Sequence, residues 1–407
     1  MANSASGAAA EWRGYGMVPV AGGLGYATAV IHIYGLGPFI EPVSESFGWS
    51  RTQTTAGLAM ATLVQALAGI PIGLLVDRFG PRPLGVIGAL MIAGAFAMLG
   101  TATGGVANWY LLWGLIALGA MPVHATVWTS AVATRFEASR GLALAVTLCG
   151  ASLAAAVFPV LGTWLIRSYG WQAAAPVMAG IWIAFAFPVV LICFRDARDR
   201  RVRQAGPVAA PLLEGASLSE GFRSPIYHRL LFASLLFTFT IMGLVVHFVP
   251  ILTDSGAAPM AAAGIAALVG LVSIAGRLGT GLLLDRFPAS LVGAGAFLLP
   301  VAACSLLLAA DGNIAGQTMA AVLIGFTLGA EVDVVVYLAS RHFGLRNFGG
   351  LYGGLLTALS IGLATGPLGA AWVFDQYQSY APFLWLTVAL SVASSLAIGS
   401  LPRDTKA

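Results

Sequence analysis

Arg277 carries the sharpest chemical signal in this chain. It lies in the apolar run 260–284, MAAAGIAALVGLVSIAGRLGTGLLL, and no other basic residue sits inside a long hydrophobic stretch. A guanidinium does not shed its charge, and holding one in an apolar medium costs about 2.5 kcal/mol or more. An anion beside it lowers that cost, and the planar fork of N–H donors matches a carboxylate. Two acids lie in long apolar stretches, Glu331 and Asp333 in GFTLGAEVDVVVYLASR. Arg277 stands eight residues before Asp285 and Asp333 eight before Arg341. At a rise of about 1.5 Å per residue, each then lies roughly 12 Å from its own helix end, so they can be level.

Two arrangements satisfy this pattern. Arg277 and one acid can form a permanent structural pair. Alternatively, a mobile carboxylate competes for Arg277 and the acid it displaces takes up a proton. Glu331 and Asp333 are two residues apart, roughly 200° around a helix. One of them therefore meets the arginine while the other meets a neighbouring helix, and spacing alone does not say which.

Three histidines, His32, His124 and His247, also fall in apolar stretches. A lone histidine there is more often a satisfied core residue. His124 in GAMPVHATVW and His247 in VVHFVP neighbour prolines, which makes them candidates for proton handling or substrate contact. Tyr15, Tyr34, Trp128, Tyr337 and Tyr352 are candidates for lining an amphipathic cavity, with packing or an interfacial belt as the ordinary alternative.

The elements that must position these groups follow from composition. The chain has 407 residues, 58% hydrophobic and 9% charged, with mean hydropathy +0.88. Soluble domains carry about 25% charged residues, so this is a polytopic membrane protein. Twelve helical spans are predicted, roughly 16–40, 54–76, 84–105, 109–132, 142–166, 172–194, 230–252, 260–284, 291–310, 317–340, 349–373 and 381–401. Each is long enough for a hydrocarbon core of about 30 Å. With the N-terminus in the cytoplasm, 17 of the 20 basic residues fall on the cytoplasmic side, with Arg51 and Arg167 outside and Arg277 within. That asymmetry places both termini in the cytoplasm of a cell membrane. The basic excess is thus a topology signal, not a sign of nucleic-acid binding. No cleavable leader is expected, since the first 15 residues are polar and small without a basic start. Cys149, Cys193 and Cys304 read as small core residues. No metal-ligand spacing, nucleophile elbow or nucleotide-binding loop is present. No enzyme, metal or cofactor is expected, and a proton gradient is the expected driving force.

The longest polar segment, 195–229, begins RDARDRRVRQ and separates bundles 1–194 and 230–407. It reads as a cytoplasmic, topology-setting linker whose basic start can also touch anionic lipid. The halves repeat each other. GLLVDRF at 73–79 recurs as GLLLDRF at 281–287, an offset of 208, and Arg135 maps to Arg341 at an offset of 206. Internal repeats of this kind mark transporters whose substrate site lies near mid-membrane between the halves. In the first copy Gly73 permits close helix approach, and Asp77 sits with Arg78 and Arg82 at a helix end. Charged pairs there, and their counterparts Asp285 and Arg286, are expected to latch helices during gating. The breaks at Gly37-Pro38, Phe158-Pro159 and Gly366-Pro367 suit bent helices, whether static or gating.

The loop GLLVDRFGPR resembles the signature between spans 2 and 3 of the major facilitator superfamily. The stretch RFEASRGLALAVTLCGASLAAAVFPVLGTWLIRSYGW at 135–171 and FIEPVSESFGWSRTQ at 39–53 are similar to the monocarboxylate transporter family and its bacterial relatives. The resemblance implies an all-α fold of twelve transmembrane helices in two pseudo-symmetric six-helix bundles, usually working as a monomer among membrane lipids. It implies a small organic anion, a monocarboxylate, as substrate, moved with a proton by alternating access. It also implies that Arg277, in GRLGTGLLLDR, holds the carboxylate. The counterpart of Arg277 in the first half is Gly69, so the repeat itself does not call for an arginine. Animal members carry a lysine in span 1 and an acid one turn before the arginine. Here the sole lysine is Lys406, and Ser273 stands one turn before Arg277, a candidate substrate contact. A proton-driven exporter of amphipathic compounds, or a sensor that binds without transport, are the competing expectations.

Overall fold

In the computed structural model, residues 2–133, 135–136, 139–195, 216–309, 313–344 and 348–402 are described. Among them every long element is an α-helix and no strand occurs. The first span is broken by turns into α2 (Met17–Ala29), α3 (Ile31–Tyr34) and α4 (Gly37–Phe47), after the N-terminal helix α1 (Ala2–Tyr15). Then come α5 (Arg51–Phe79), α6 (Pro81–Ala97), α7 (Val106–Ala120), α8 (Ala125–Ala133), α9 (Arg140–Tyr169) and α10 (Trp171–Cys193). The second half holds the short α11 (Leu218–Arg223), then α12 (Pro225–Asp254), α13 (Pro259–Arg286), α14 (Ala289–Ala309), α15 (Ile314–Phe343), α16 (Phe348–Tyr377) and α17 (Ala381–Gly399). Ten segments of the described residues are long and apolar enough to cross a membrane. With broken span 1 and the 29-residue α5, they give the twelve crossings expected from the sequence.

Local chemistry sets the ends. Pro225 follows an N-cap serine, Ser224, whose hydroxyl accepts from the Ile226 N–H. Ser217 and Glu220 form a reciprocal capping box on α11. The linker expected over 195–229 therefore contains α11 and the first turn of α12, while its residues 196–215 lie outside the described ones. In membrane, where lipid leaves no hydrophobic drive between helices, small residues and buried hydroxyls hold the bundle. Ser394 donates to the Ala233 carbonyl at 2.9 Å and Ser395 to the Ala294 carbonyl at 2.8 Å.

The chain forms two compact units, 1–47 with 60–208, and 48–59 with 209–407. In the first, α2, α6, α8, α9 and α10 surround a core containing Trp113, Trp128 and Phe158. In the second, α12 lies among α13, α15, α16 and α17, with Phe237 stacked on Phe297 at 3.7 Å. The first two turns of α5 belong to this second unit.

Candidate functional site

The site begins with a close helix crossing. Gly276 of α13 and Gly329 of α15 leave no room for a side chain: a Cβ at Gly329 would run into the Ser273 carbonyl and the Arg277 N–H. The two backbones therefore touch beside Arg277, and α15 presents Asp333 one turn later on the same side. Arg277 Nη1 donates to Asp333 Oδ1 at 2.9 Å. Only one arm of the guanidinium is used. Its Nε is buried and makes no hydrogen bond among the described residues. Both partners keep some access, with side chains 13% and 28% exposed.

Glu331 turns the other way. It is buried and meets the Thr238 hydroxyl on α12. Thr238 also lies 2.9 Å from the Ser234 carbonyl. A hydroxyl has one hydrogen and a carbonyl has none to give. Both contacts are satisfied together when Thr238 donates to Ser234 and a protonated Glu331 donates to Thr238. The two acids thus differ in kind: Asp333 is a counter-ion, whereas Glu331 suits a neutral carboxylic acid.

The remaining candidates scatter. Trp128 is fully buried, tilted on Phe194 at 4.8 Å, with its indole N–H on the Val123 carbonyl at 2.9 Å. It is packed into the core of the first unit, where a cavity-lining residue was expected. Ser273 is also buried, its hydroxyl donating back to the Gly270 carbonyl at 2.7 Å. That bond turns it away from a substrate role, since the tight crossing leaves it facing its own helix. Tyr337 meets Arg341 at 3.3 Å near the helix end, not Arg277. His124 follows a 3-10 turn and lies 3.2 Å from Thr126. His32 is buried against Gln65 at 3.1 Å, beside the edge of Trp113. Tyr34 and Tyr352 are half-buried, and Tyr15 carries the Arg135 guanidinium over its ring at 4.8 Å.

At the expected latch, Arg82 donates to the Leu191 carbonyl at 3.2 Å, Arg78 lies over the Phe79 ring, and Arg286 is exposed. Gly73, Asp77 and Asp285 lie outside the described side chains.

One cluster escaped the sequence reading. At the opposite end of the second unit, Arg51 at the start of α5 grips Asp254 at the end of α12 with both arms, at 2.8 and 3.2 Å. It also donates to the Tyr380 hydroxyl at 2.9 Å and stacks on Phe374 at 3.7 Å. The Arg51 and Thr52 N–H groups donate to the two oxygens of Asp375, at 2.9 and 2.8 Å. This carboxylate caps α5 from another helix. Burial pushes the Tyr380 hydroxyl well above its ordinary pKa. Burial opposes the charge of Arg51, but Tyr380 and Asp254 outweigh it and raise its pKa. Tyr380 in turn lies 2.7 Å from His247 Nδ1, and His247 Nε2 lies 2.9 Å from the Pro367 carbonyl. His247 is thus bound into this cluster and takes no part in the Arg277 site. A signal was present: Arg51 is one of two basic residues expected on the outward side.

The chain matches the Major Facilitator Superfamily over residues 22–367. It is 25% identical to monocarboxylate transporter 13 of Rattus norvegicus, across 82% of this chain and 77% of that one. It is 24% identical to the 4-hydroxybenzoate transporter PcaK of Pseudomonas putida, across 83% of each. It is 29% identical to a chloramphenicol resistance protein of Streptomyces lividans, across 85% of this chain and 86% of that one. Among solved structures, a bacterial homolog of the human lysosomal transporter Spinster, inward-facing and unoccupied, superposes with a TM-score of 0.68. It shares 19% identity and covers 94% of this chain and 96% of its own.

Proposed function

The chain belongs to the Major Facilitator Superfamily and is a multi-pass membrane transporter, not an enzyme; from that premise we propose that it carries a small organic anion, a monocarboxylate, together with a proton. The observation that carries this reading is the one-armed Arg277–Asp333 pair. A pair built only for stability would use the fork fully, because a buried ion pair pays back its desolvation only with every hydrogen bond made. Here Arg277 meets Asp333 through Nη1, and its Nε makes no hydrogen bond among the described residues, so the guanidinium has donor capacity beyond its counter-ion.

The mechanism follows from competition. An incoming carboxylate takes the bidentate edge of Arg277 and weakens its hold on Asp333. The loosened Asp333, in a medium hostile to bare charge, takes up a proton. One anion and one proton are then bound, and the site's net charge is unchanged as it crosses the membrane. Release reverses the order: the anion leaves, Asp333 loses its proton and returns to Arg277. Glu331, held by the Thr238 hydroxyl on α12, stays outside this exchange. Two relatives are named for carboxylate substrates, which agrees with this class. The distribution of basic residues supports an orientation with both termini in the cytoplasm.

The test is uptake into proteoliposomes of radiolabelled lactate, pyruvate and 4-hydroxybenzoate, with and without an inward proton gradient. Gradient-stimulated uptake by wild type that vanishes in Arg277→Ala, with that variant still folded, is the expected result. Normal uptake by Arg277→Ala sinks the assignment. A second reading, export of amphipathic compounds with Arg277 as a structural charge, draws on the chloramphenicol resistance relative. Transport of neutral compounds without any effect of carboxylates favours that reading.

A further inference from the structure

We propose that His247 is a proton-binding residue at the outward end of the second unit, and that its protonation releases the clasp holding α5 to α12 and α16. The direction of the hydrogen bonds carries this inference. The Pro367 carbonyl can only accept, so His247 Nε2 carries a hydrogen and donates to it. Arg51 can only donate, so the Tyr380 oxygen accepts from Arg51 Nη1. The hydrogen of Tyr380 then has one acceptor within reach among the described residues, His247 Nδ1. The chain runs one way: Arg51 to Tyr380, Tyr380 to His247, His247 to Pro367. It closes only on a neutral imidazole with Nδ1 bare.

Protonation at Nδ1 breaks this order. The Tyr380 oxygen would then face donors from both Arg51 and His247, and its own buried hydrogen would lose its acceptor. An unmade bond of a buried polar group is costly, and an imidazolium would sit close to a guanidinium. The clasped state therefore disfavours a protonated His247, and acid favours the unclasped state. The other charged groups facing this site are Asp254 at the end of α12, gripped by Arg51, and Asp375 on α16, bound to the α5 backbone. Glu331 on α15 meets Thr238, nine residues from His247 on α12, or about 13 Å away along the helix, and Arg277 on α13 pairs with Asp333 on α15.

Two further features suit a proton site. A cavity of about 400 Å³ opens beside the clasp, lined by Asp254, Ser255, Gln378 and Tyr380 among others, which gives water a way in. Pro367, the far end of the chain, breaks the hydrogen-bond ladder of α16, where a helix bends most readily. The proton on His247 is thus tied both to the outer ion pair and to the weak point of α16. In the orientation proposed above this end faces outward, so the residue senses the outside proton concentration. It is separate from the exchange at Asp333.

The test places spin labels at Gln53→Cys and Gln376→Cys, exposed positions on α5 and α16, after replacing Cys149, Cys193 and Cys304. Distances are read in lipid nanodiscs across a pH series without substrate. Expected is a single short distance at neutral pH and a longer population that grows on mild acidification. His247→Gln, which cannot titrate, should lose that transition. Tyr380→Phe removes the hydroxyl that bonds both Arg51 and His247, which weakens the clasp, so its midpoint should move to higher pH. Arg51→Ala should show the long distance throughout. A wild type that does not respond to pH overturns the proposal. So does a folded His247→Gln with the wild-type midpoint, which would assign the response to Asp254 or Asp375. If His247→Gln does not fold, an unshifted Tyr380→Phe midpoint overturns it instead.

Discussion

At the scale of single residues, the division of labour between two acids is the central finding. Asp333 pairs with Arg277, whereas Glu331 is buried against Thr238. Their substitutions should therefore behave differently. Glu331→Gln replaces a neutral acid by a neutral amide of the same shape and should keep proton-stimulated uptake within a few-fold of wild type. Asp333→Asn removes the counter-ion of Arg277 and, in the proposed exchange, the proton acceptor as well. Anion binding at neutral pH should tighten and lose its pH dependence, as read by calorimetry between pH 5 and 8, while a proton gradient no longer drives accumulation. The sign follows from competition: in wild type, acid protonates Asp333 and frees Arg277, so binding improves as pH falls. At Arg277, a charge-assisted hydrogen bond is worth about 1.5–3 kcal/mol. Arg277→Ala should thus weaken binding by about ten- to a hundredfold. Arg277→Lys should recover little, since an ammonium cannot present two parallel donors.

At the scale of elements, the α13–α15 crossing sets the geometry of the site. Gly329 meets the backbone of Ser273 and Arg277 directly. Gly329→Val should push the helices apart and cost about 1–3 kcal/mol of stability by overpacking. It should also weaken anion binding, because the Arg277–Asp333 distance depends on that contact. Thermal unfolding in detergent together with binding calorimetry checks both; unchanged binding in a destabilised protein would show that the pair tolerates a wider crossing. The small residues around Arg277, in SIAGRLGTG, permit this close packing, but the sequence does not name the partner, because any helix with small residues can take the opposite side of such a crossing.

At the scale of the whole molecule, two units of like topology carry unlike chemistry. The ion pair lies wholly in the second unit, and the first has Gly69 where the repeat would place an arginine. The Arg277–Asp333 pair carries no net charge, and exchanging Asp333 for a cargo carboxylate while Asp333 takes a proton, as proposed, keeps it so. Uptake of a monocarboxylate with one proton should accordingly be electroneutral: clamping the membrane potential with valinomycin and potassium should leave the rate unchanged, while a pH gradient raises it. A strong dependence on potential at fixed pH would rule out one-to-one coupling. The outer clasp belongs to the second unit as well, although α5 continues into the first.

Much of this protein was determined by sequence alone, for a physical reason. A bilayer demands about twenty apolar residues per crossing and tolerates no bare charge without a partner. The spans, the repeat and the exceptional standing of Arg277, Glu331 and Asp333 were therefore visible as departures from a uniform apolar background. The helical fold class follows from the same constraints, whereas the family resemblance rests on motifs such as GLLVDRFGPR. Only tertiary structure decided which acid meets Arg277, since two positions on one helix differ by rotation and not by hydropathy. Tertiary structure alone also drew His247 out of the list of substrate contacts and buried Trp128 in the first unit. It joined Arg51, Asp254, Asp375 and Tyr380 into one clasp. Those four stand at helix ends and in turns, where a polar residue is ordinary, so nothing in their local sequence sets them apart. Their chemistry comes from convergence across as many as 329 positions of chain, which periodicity and composition do not record.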